Sequence, residues 1–226
     1  IYEDAASNKR VKSTRSFFNY ANALMGQRMR LVGHYAVSGN RSDEYLSTDK
    51  VDAALATNAG WFIIFGTVND IAQLYLTPFT DAIKPVCERI LGEGGKVILC
   101  TEPGAGNYNS TQSAAVQLYN AQIRRYARER AGVVLFDLAA VTVLPTATPP
   151  VSFPAGYSID DIHYITPATL AQGRAFAALM SPLVPANDHL IASAMENTTN
   201  GVLQFLPNPL FLTTSGGTAS SGGSGT

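Results

Sequence analysis

Lys96-Val97-Ile98-Leu99-Cys100-Thr101 reads as a strand of a particular kind. Its apolar residues follow one another without alternation, the pattern of a parallel strand covered by helices on both faces. The turn before it, Gly92-Glu93-Gly94-Gly95, leads into a strand. A phosphate-cradling loop joins a strand to a helix instead, so this is a plain turn. Trp61 to Phe65 and Gly132 to Leu138 have the same near-continuous apolar character, and Met29 to Ala36 is a fourth strand-like run. Helical spacing fills the intervals. Ser16 to Met25 sets Phe17, Tyr20, Ala21 and Leu24 on one face, and Thr80 to Leu91 sets Ile83, Val86, Cys87 and Ile90 on another. Thr111 to Arg130 offers Ala115, Leu118, Tyr119, Gln122 and Tyr126 as inner positions. Its Arg124, Arg125, Arg128 and Arg130 are expected to face water near the C-terminal end, where cations suit the helix dipole. A final helix runs from Pro167 to Met180, with Thr166 as N-cap and proline first in the helix. Alternating helix and strand predict an α/β fold of three layers with a mostly parallel sheet. Ligands in such sheets bind beyond the carboxyl ends of the strands, which is where chemistry is to be sought.

Composition narrows the classes. The 16 basic and 17 acidic residues are scattered, leaving a net charge of -1 and no basic stripe for a phosphate backbone, so no nucleic-acid partner is expected. No apolar run approaches the roughly 20 residues of a bilayer-spanning helix, and no membrane partner is expected. Cys87 and Cys100 stand in no CxxC or His-rich setting and read as two buried free thiols, with a disulfide as the alternative. No metal site is expected, because the three histidines lack companions at ligand spacing.

The turns after the strands carry the candidate chemistry. Ala36-Val37-Ser38-Gly39-Asn40-Arg41-Ser42 follows the first run, and Gly39 there can bring a backbone N–H near an oxyanion or merely serve the turn. Phe65-Gly66-Thr67-Val68-Asn69-Asp70-Ile71 follows the second; Asn69 offers an amide donor, or else it or Asp70 caps a helix. Before the last helix stands Tyr157-Ser158-Ile159-Asp160-Asp161-Ile162-His163-Tyr164-Ile165-Thr166-Pro167. A carboxylate three residues before a histidine can hold its Nδ1–H and leave Nε2 to take a proton from a nucleophile. Alone, a locally satisfied histidine near a helix start is the commoner reading. His34, inside a strand-like run, reads as structural, and His189 falls past the last helix in a proline-rich stretch.

Taken in order, Val37-Ser38-Gly39-Asn40, Gly66-Thr67-Val68-Asn69-Asp70 and Asp160-Asp161-Ile162-His163 resemble blocks two, three and five of the SGNH (GDSL-like) hydrolases, over about residues 1–182. The resemblance implies a flavodoxin-like α/β/α fold and a serine esterase without cofactor. It implies His163 as base, Asp160 as its orienting partner, and Gly39 and Asn69 as oxyanion-hole donors. The family's Gly-Asp-Ser turn occurs nowhere in the sequence, and Ile1-Tyr2-Glu3-Asp4 looks like the residues that follow that serine. Ser13 and Ser16 lie in helical context, and Ser38 is too close to Gly39 to attack against its donor. The expectation is therefore a chain with no nucleophile, lacking the family's first, central strand and inactive by itself. In the order 2-1-3-4-5 that strand is interior, so its loss would leave two neighbours unpaired. Thr67 stands where the family often has glycine, and Asp161 where it has a small residue between the aspartate and histidine.

Residues 183–226 read as a connector and Gly/Ser-rich linker towards a possible adjoining module. That tail is similar to those joining SGNH domains to β-rich modules in bacteriophage tail proteins, which remove O-acetyl groups from host polysaccharide. The expected substrate is an acylated carbohydrate, or otherwise a small ester, in an extracellular or virion-associated setting. A non-catalytic carbohydrate-binding or structural module on this fold, or an O-acyltransferase, are the alternatives.

Overall fold

The computed structural model describes residues 2–4, 9–11, 15–37, 39–45, 48–145 and 152–185. Strands β1 (Tyr2–Asp4) and β2 (Lys9–Val11) pair antiparallel as a short ribbon. Helix α1 (Phe17–Leu24) follows, its first turn capped by Ser16, whose hydroxyl accepts from the Asn19 amide at 3.2 Å. A 3-10 turn (Ser42–Tyr45) and α2 (Thr48–Leu55) lead to β3 (Trp61–Ile64). The short α3 (Val68–Ala72), a π-helical turn (Phe79–Ile83) and α4 (Lys84–Gly92) come next, then β4 (Lys96–Cys100) and the long α5 (Ser110–Glu129). β5 (Val133–Phe136), α6 (Leu138–Thr142) and α7 (Thr166–Met180) complete the order.

β3, β4 and β5 form a parallel sheet in that order, with Trp61 opposite Lys96 and Val97 opposite Val133. The pleat divides β4 between two cores. Val97 and Leu99 meet Ile83, Val86, Cys87, Ile90, Tyr119 and Ile123 from α4, α5 and the π turn, whereas Ile98 and Cys100 meet Ala21, Phe176, Ala177 and Met180 from α1 and α7. This is the expected three-layer arrangement, with Phe17, Phe136 and Phe176 stacked at centroid distances of 5.1–5.7 Å through one core. α7 lies so close on α1 that a Cβ at Gly173 would stand 2.6 Å from that of Tyr20. Cys87 and Cys100 are buried and free as expected, and burial pushes the Cys87 thiol up to about 12.

The structure departs from expectation in several places. Met29–Ala36 is irregular and mostly exposed, and so is His34 within it. A strand exists only through a ladder, and no described strand flanks this run. Met29 is instead paired with a side chain: Asn22 Oδ1 accepts from Met29 N and Asn22 Nδ2 donates to Met29 O, both at 2.8 Å. Correspondingly β3 is the outer strand of the described sheet and only half-buried, whereas Val97 to Cys100 of β4 are buried. Leu24 and Leu118 point to solvent, and Met25, Val116 and Ile123 take the inner places. Arg125, Arg128 and Arg130 face water as expected, Arg130 while pairing with Glu88 at 2.6 Å, whereas Arg124 is half-buried against Asp137 through paired 2.9 Å contacts. Thr166 is the first residue of α7 and Ile165 occupies the cap, where its apolar side chain has no acceptor to offer; Ile165 N donates to Tyr157 O at 3.0 Å. Ser13, Ser38, His189 and the tail beyond residue 185 lie outside the described residues.

Candidate active site

The chain leaves β3 through Gly66, whose φ of +113° only glycine adopts easily, and turns at once into α3. Asn69 and Asp70 in the first turn of that helix reach back to the segment around Gly39. Asn69 Nδ2 donates to Asn40 O at 3.1 Å, which uses one of its two amide hydrogens and leaves the other. The buried Asp70 accepts from Ser42 N at 2.9 Å and from Ser42 Oγ at 2.5 Å through a single oxygen. Burial pushes the Asp70 carboxyl up, against the pull of those two bonds. Gly39 has φ +80°, and a Cβ built on it would meet nothing within 4 Å. Its glycine is thus set by backbone conformation, not by crowding.

The second half is the loop before α7. Asp160 Oδ1 accepts from Ile162 N at 3.0 Å and from His163 N at 2.7 Å, while Oδ2 lies 2.6 Å from His163 Nδ1. The His163 side chain, followed by these two backbone amides, holds the Asp160 carboxyl far below the usual carboxylate range. An ionised Asp160 can only accept, so Nδ1 carries the proton of that bond, and in a neutral imidazole so oriented Nε2 is the nitrogen with the lone pair. The imidazole is 78% exposed, and among the described residues no hydroxyl reaches Nε2. Asp161 sits at φ +63°, a conformation that aspartate tolerates better than most residues, and its carbonyl accepts from Gly106 N at 2.8 Å. It makes no bond to His163, so Asp160 keeps that partner.

The two halves meet across the loop after β4. Val68, beside Asn69, and Ile162, beside His163, pack on one apolar cluster containing Ile71, Ala105 and Tyr108. Tyr108 OH donates to Val68 O at 2.6 Å. The structure therefore gathers the turns bearing Gly39, Asn69, Asp160 and His163 at the carboxyl end of the sheet. What sequence reasoning passed over is Glu102, two residues after β4: it is buried and bonded to Thr67 and Gly104. An acidic residue immediately following an apolar strand run was the available signal.

This arrangement is that of an α/β hydrolytic fold with its turns at the sheet's carboxyl end. The GDSL-like Lipase/Acylhydrolase family matches residues 5–165, and the chain belongs to that family. Among solved structures it is similar to one assigned to the G-D-S-L lipolytic family from Desulfitobacterium hafniense DCB-2. That likeness has a TM-score of 0.60 and 17% identity, covering 74% of this chain and 89% of the other. It is also similar to a GDSL-like lipase from Bacteroides thetaiotaomicron VPI-5482, with TM-score 0.51, 18% identity and coverage of 65% and 71%. At such identities the likeness speaks for the fold. No curated protein matches the chain.

Proposed function

We propose that this chain supplies the base and oxyanion side of a serine esterase, and that the ester is an O-acyl group on a carbohydrate. The observation that carries the reading is the 2.6 Å contact of His163 Nδ1 with Asp160 Oδ2, seated beside the turn of Asn69. His163 Nε2 removes the proton of a serine hydroxyl as its oxygen bonds to the acyl carbon. The resulting oxyanion accepts from Gly39 N and from the remaining Asn69 Nδ2 hydrogen. Nε2 then returns the proton to the leaving alcohol as its bond to the acyl carbon breaks; it next takes a proton from water as the water oxygen bonds to that carbon, and gives it to the serine oxygen as the acid departs. In this reading the serine comes from a Gly-Asp-Ser turn, a triplet that residues 1–226 do not contain. The unladdered Met29–Ala36 run and the half-buried outer strand β3 are the neighbours such a turn's strand would have. The carbohydrate class rests on the resemblance of the tail to phage tail-protein linkers.

The test compares the chain as given with one extended upstream in its reading frame by about 30 codons. The extended chain is expected to hydrolyse a short-chain aryl ester and to release acetate from O-acetylated polysaccharide. The chain as given should do neither, and His163→Ala should remove most of the gained rate. Equal activity in both chains would place the nucleophile within residues 1–226 and sink the proposal. An inert extended chain that still binds polysaccharide would favour a binding module on this fold, and acyl transfer to an added alcohol in preference to water would favour an acyltransferase.

A further inference from the structure

Glu102 is a buried carboxylate that the proposed reaction does not use. It stands two residues beyond β4, between the two halves of the candidate site, and among the described residues no ion pair to it is seen. Both its oxygens are met by donors instead: Oε2 accepts from Thr67 N at 3.0 Å and Thr67 Oγ1 at 3.1 Å, and Oε1 accepts from Gly104 N at 3.1 Å. Its own backbone is clamped by the Asn120 amide, which accepts from Glu102 N at 2.7 Å and donates to Glu102 O at 2.8 Å. We infer that Glu102 is a positioning residue that fixes the Asn69 turn and the His163 turn in one geometry.

Thr67 precedes α3 and stands two residues before Asn69, so the carboxylate fixes the point from which the Asn69 turn departs. On the other side, Gly104 and Gly106 belong to one short loop, and Gly106 N holds the carbonyl of Asp161, inside the Asp160–His163 turn. A Cβ at Gly106 would lie 2.8 Å from the Asp161 Cβ, so loop and turn are already in contact. Three donors converging on one side chain suit a carboxylate, which has acceptors only. A glutamine can keep the Thr67 pair on its carbonyl oxygen, but its NH2 group then confronts Gly104 N–H, donor against donor. A buried acid kept without a cation is costly to the fold, and burial indeed pushes the Glu102 carboxyl up. Among the described residues, Asp70, Tyr108, Tyr119, Tyr164 and Cys100 lie within electrostatic reach of it. A residue serving packing alone would be met as well by an apolar side chain at this place.

The inference rests on the esterase reading for its catalytic consequence, and two measurements separate the two. In the chain as given, the Asn69 side-chain amide and the His163 ring are followed by NMR in Glu102→Gln. Both sets of resonances are expected to move, with weaker protection of the Asn69 amide. Changes confined to Thr67 and Gly104 would overturn the inference, whatever becomes of the esterase reading. In the upstream-extended chain, Glu102→Gln should lower kcat by about 10- to 100-fold, the scale of a small misplacement of reacting groups, with KM little changed. In an Asn69→Ala background the same substitution should cost less than it does beside Asn69, because only the part acting through the His163 turn is left to lose. An equal loss in both backgrounds would overturn the inference. Should Glu102→Gln fail to fold, Thr67→Val removes one of the donors from the opposite side and is read by the same measurements. An extended chain with no esterase activity at all sinks the functional reading, and the NMR result still decides the positioning role.

Discussion

Asp70 joins the Gly39 segment to the Asn69 turn, and removing it in two ways isolates that joint. Asp70→Ala strips the acceptor from both Ser42 N and Ser42 Oγ, which are buried with it. A buried donor left without an acceptor costs about 1–3 kcal/mol, and relief of the carboxylate's desolvation offsets part of the pair, so a net loss of about 2–4 kcal/mol is expected. Asp70→Asn keeps an acceptor oxygen for both donors at nearly the same volume and should change stability by less than about 1 kcal/mol at low pH. The pH dependence has a definite sign. The folded-state carboxyl is raised above its ordinary value of 3.8 by burial, so the fold favours the protonated form. Its stabilising effect is full below that value and lost as pH rises through the raised one. Asparagine does not titrate. The stability of Asp70→Asn relative to the native chain should therefore increase from about pH 4 towards neutrality, by about 1.4 kcal/mol for each unit by which the folded value is raised. Urea unfolding of the three proteins at several pH values is the assay. If Asp70→Ala were no less stable than Asp70→Asn, or if the Asn advantage stayed flat or shrank with pH, the account of this joint would be wrong.

Two further outcomes follow from the geometry. Asp160→Asn keeps an acceptor for the Ile162 and His163 amides but turns a donor towards Nδ1, so the imidazole should carry its proton on Nε2; nitrogen-detected NMR of the chain as given reads this directly, and an unchanged tautomer would refute it. In an upstream-extended chain the same change should cost up to about 10⁴-fold in kcat. Gly173→Ala forces a methyl to within 2.6 Å of the Tyr20 Cβ and 3.1 Å of Phe17 O, overpacking the α1–α7 contact by about 1–3 kcal/mol, and should lower Tm by several degrees in a thermal melt.

The layers were legible because Trp61–Phe65, Lys96–Thr101 and Gly132–Leu138 are apolar on both faces, which only a doubly covered strand requires. Met29–Ala36 misled for the same reason: composition reports what a strand needs, while the ladder depends on a neighbour that local pattern does not contain. Leu24 and Leu118 fell on the wrong side because their neighbours Met25, Val116 and Ile123 satisfy the helical stripe better once the sheet fixes its direction. In the candidate site, Asp160 and His163 could be paired from spacing because their bond closes within one turn. The bonds of Asp70 to Ser42 and of Glu102 to Thr67 span 28 and 35 residues, and no local spacing encodes them. Buried carboxylates held by donors alone leave no opposite charge in the sequence to point to them.

The outer edge of β3 discriminates among the strands that could lie on it. β3 runs parallel to β4, and a guest continuing that order must run the same way, which a segment reaching it through a helical crossover does naturally. Two copies of the chain meeting edge to edge about a two-fold axis would bring β3 against β3 in opposite senses. Self-association at this edge would thus produce a mixed sheet with a different hydrogen-bond spacing, and direction alone tells an intended strand from a second copy.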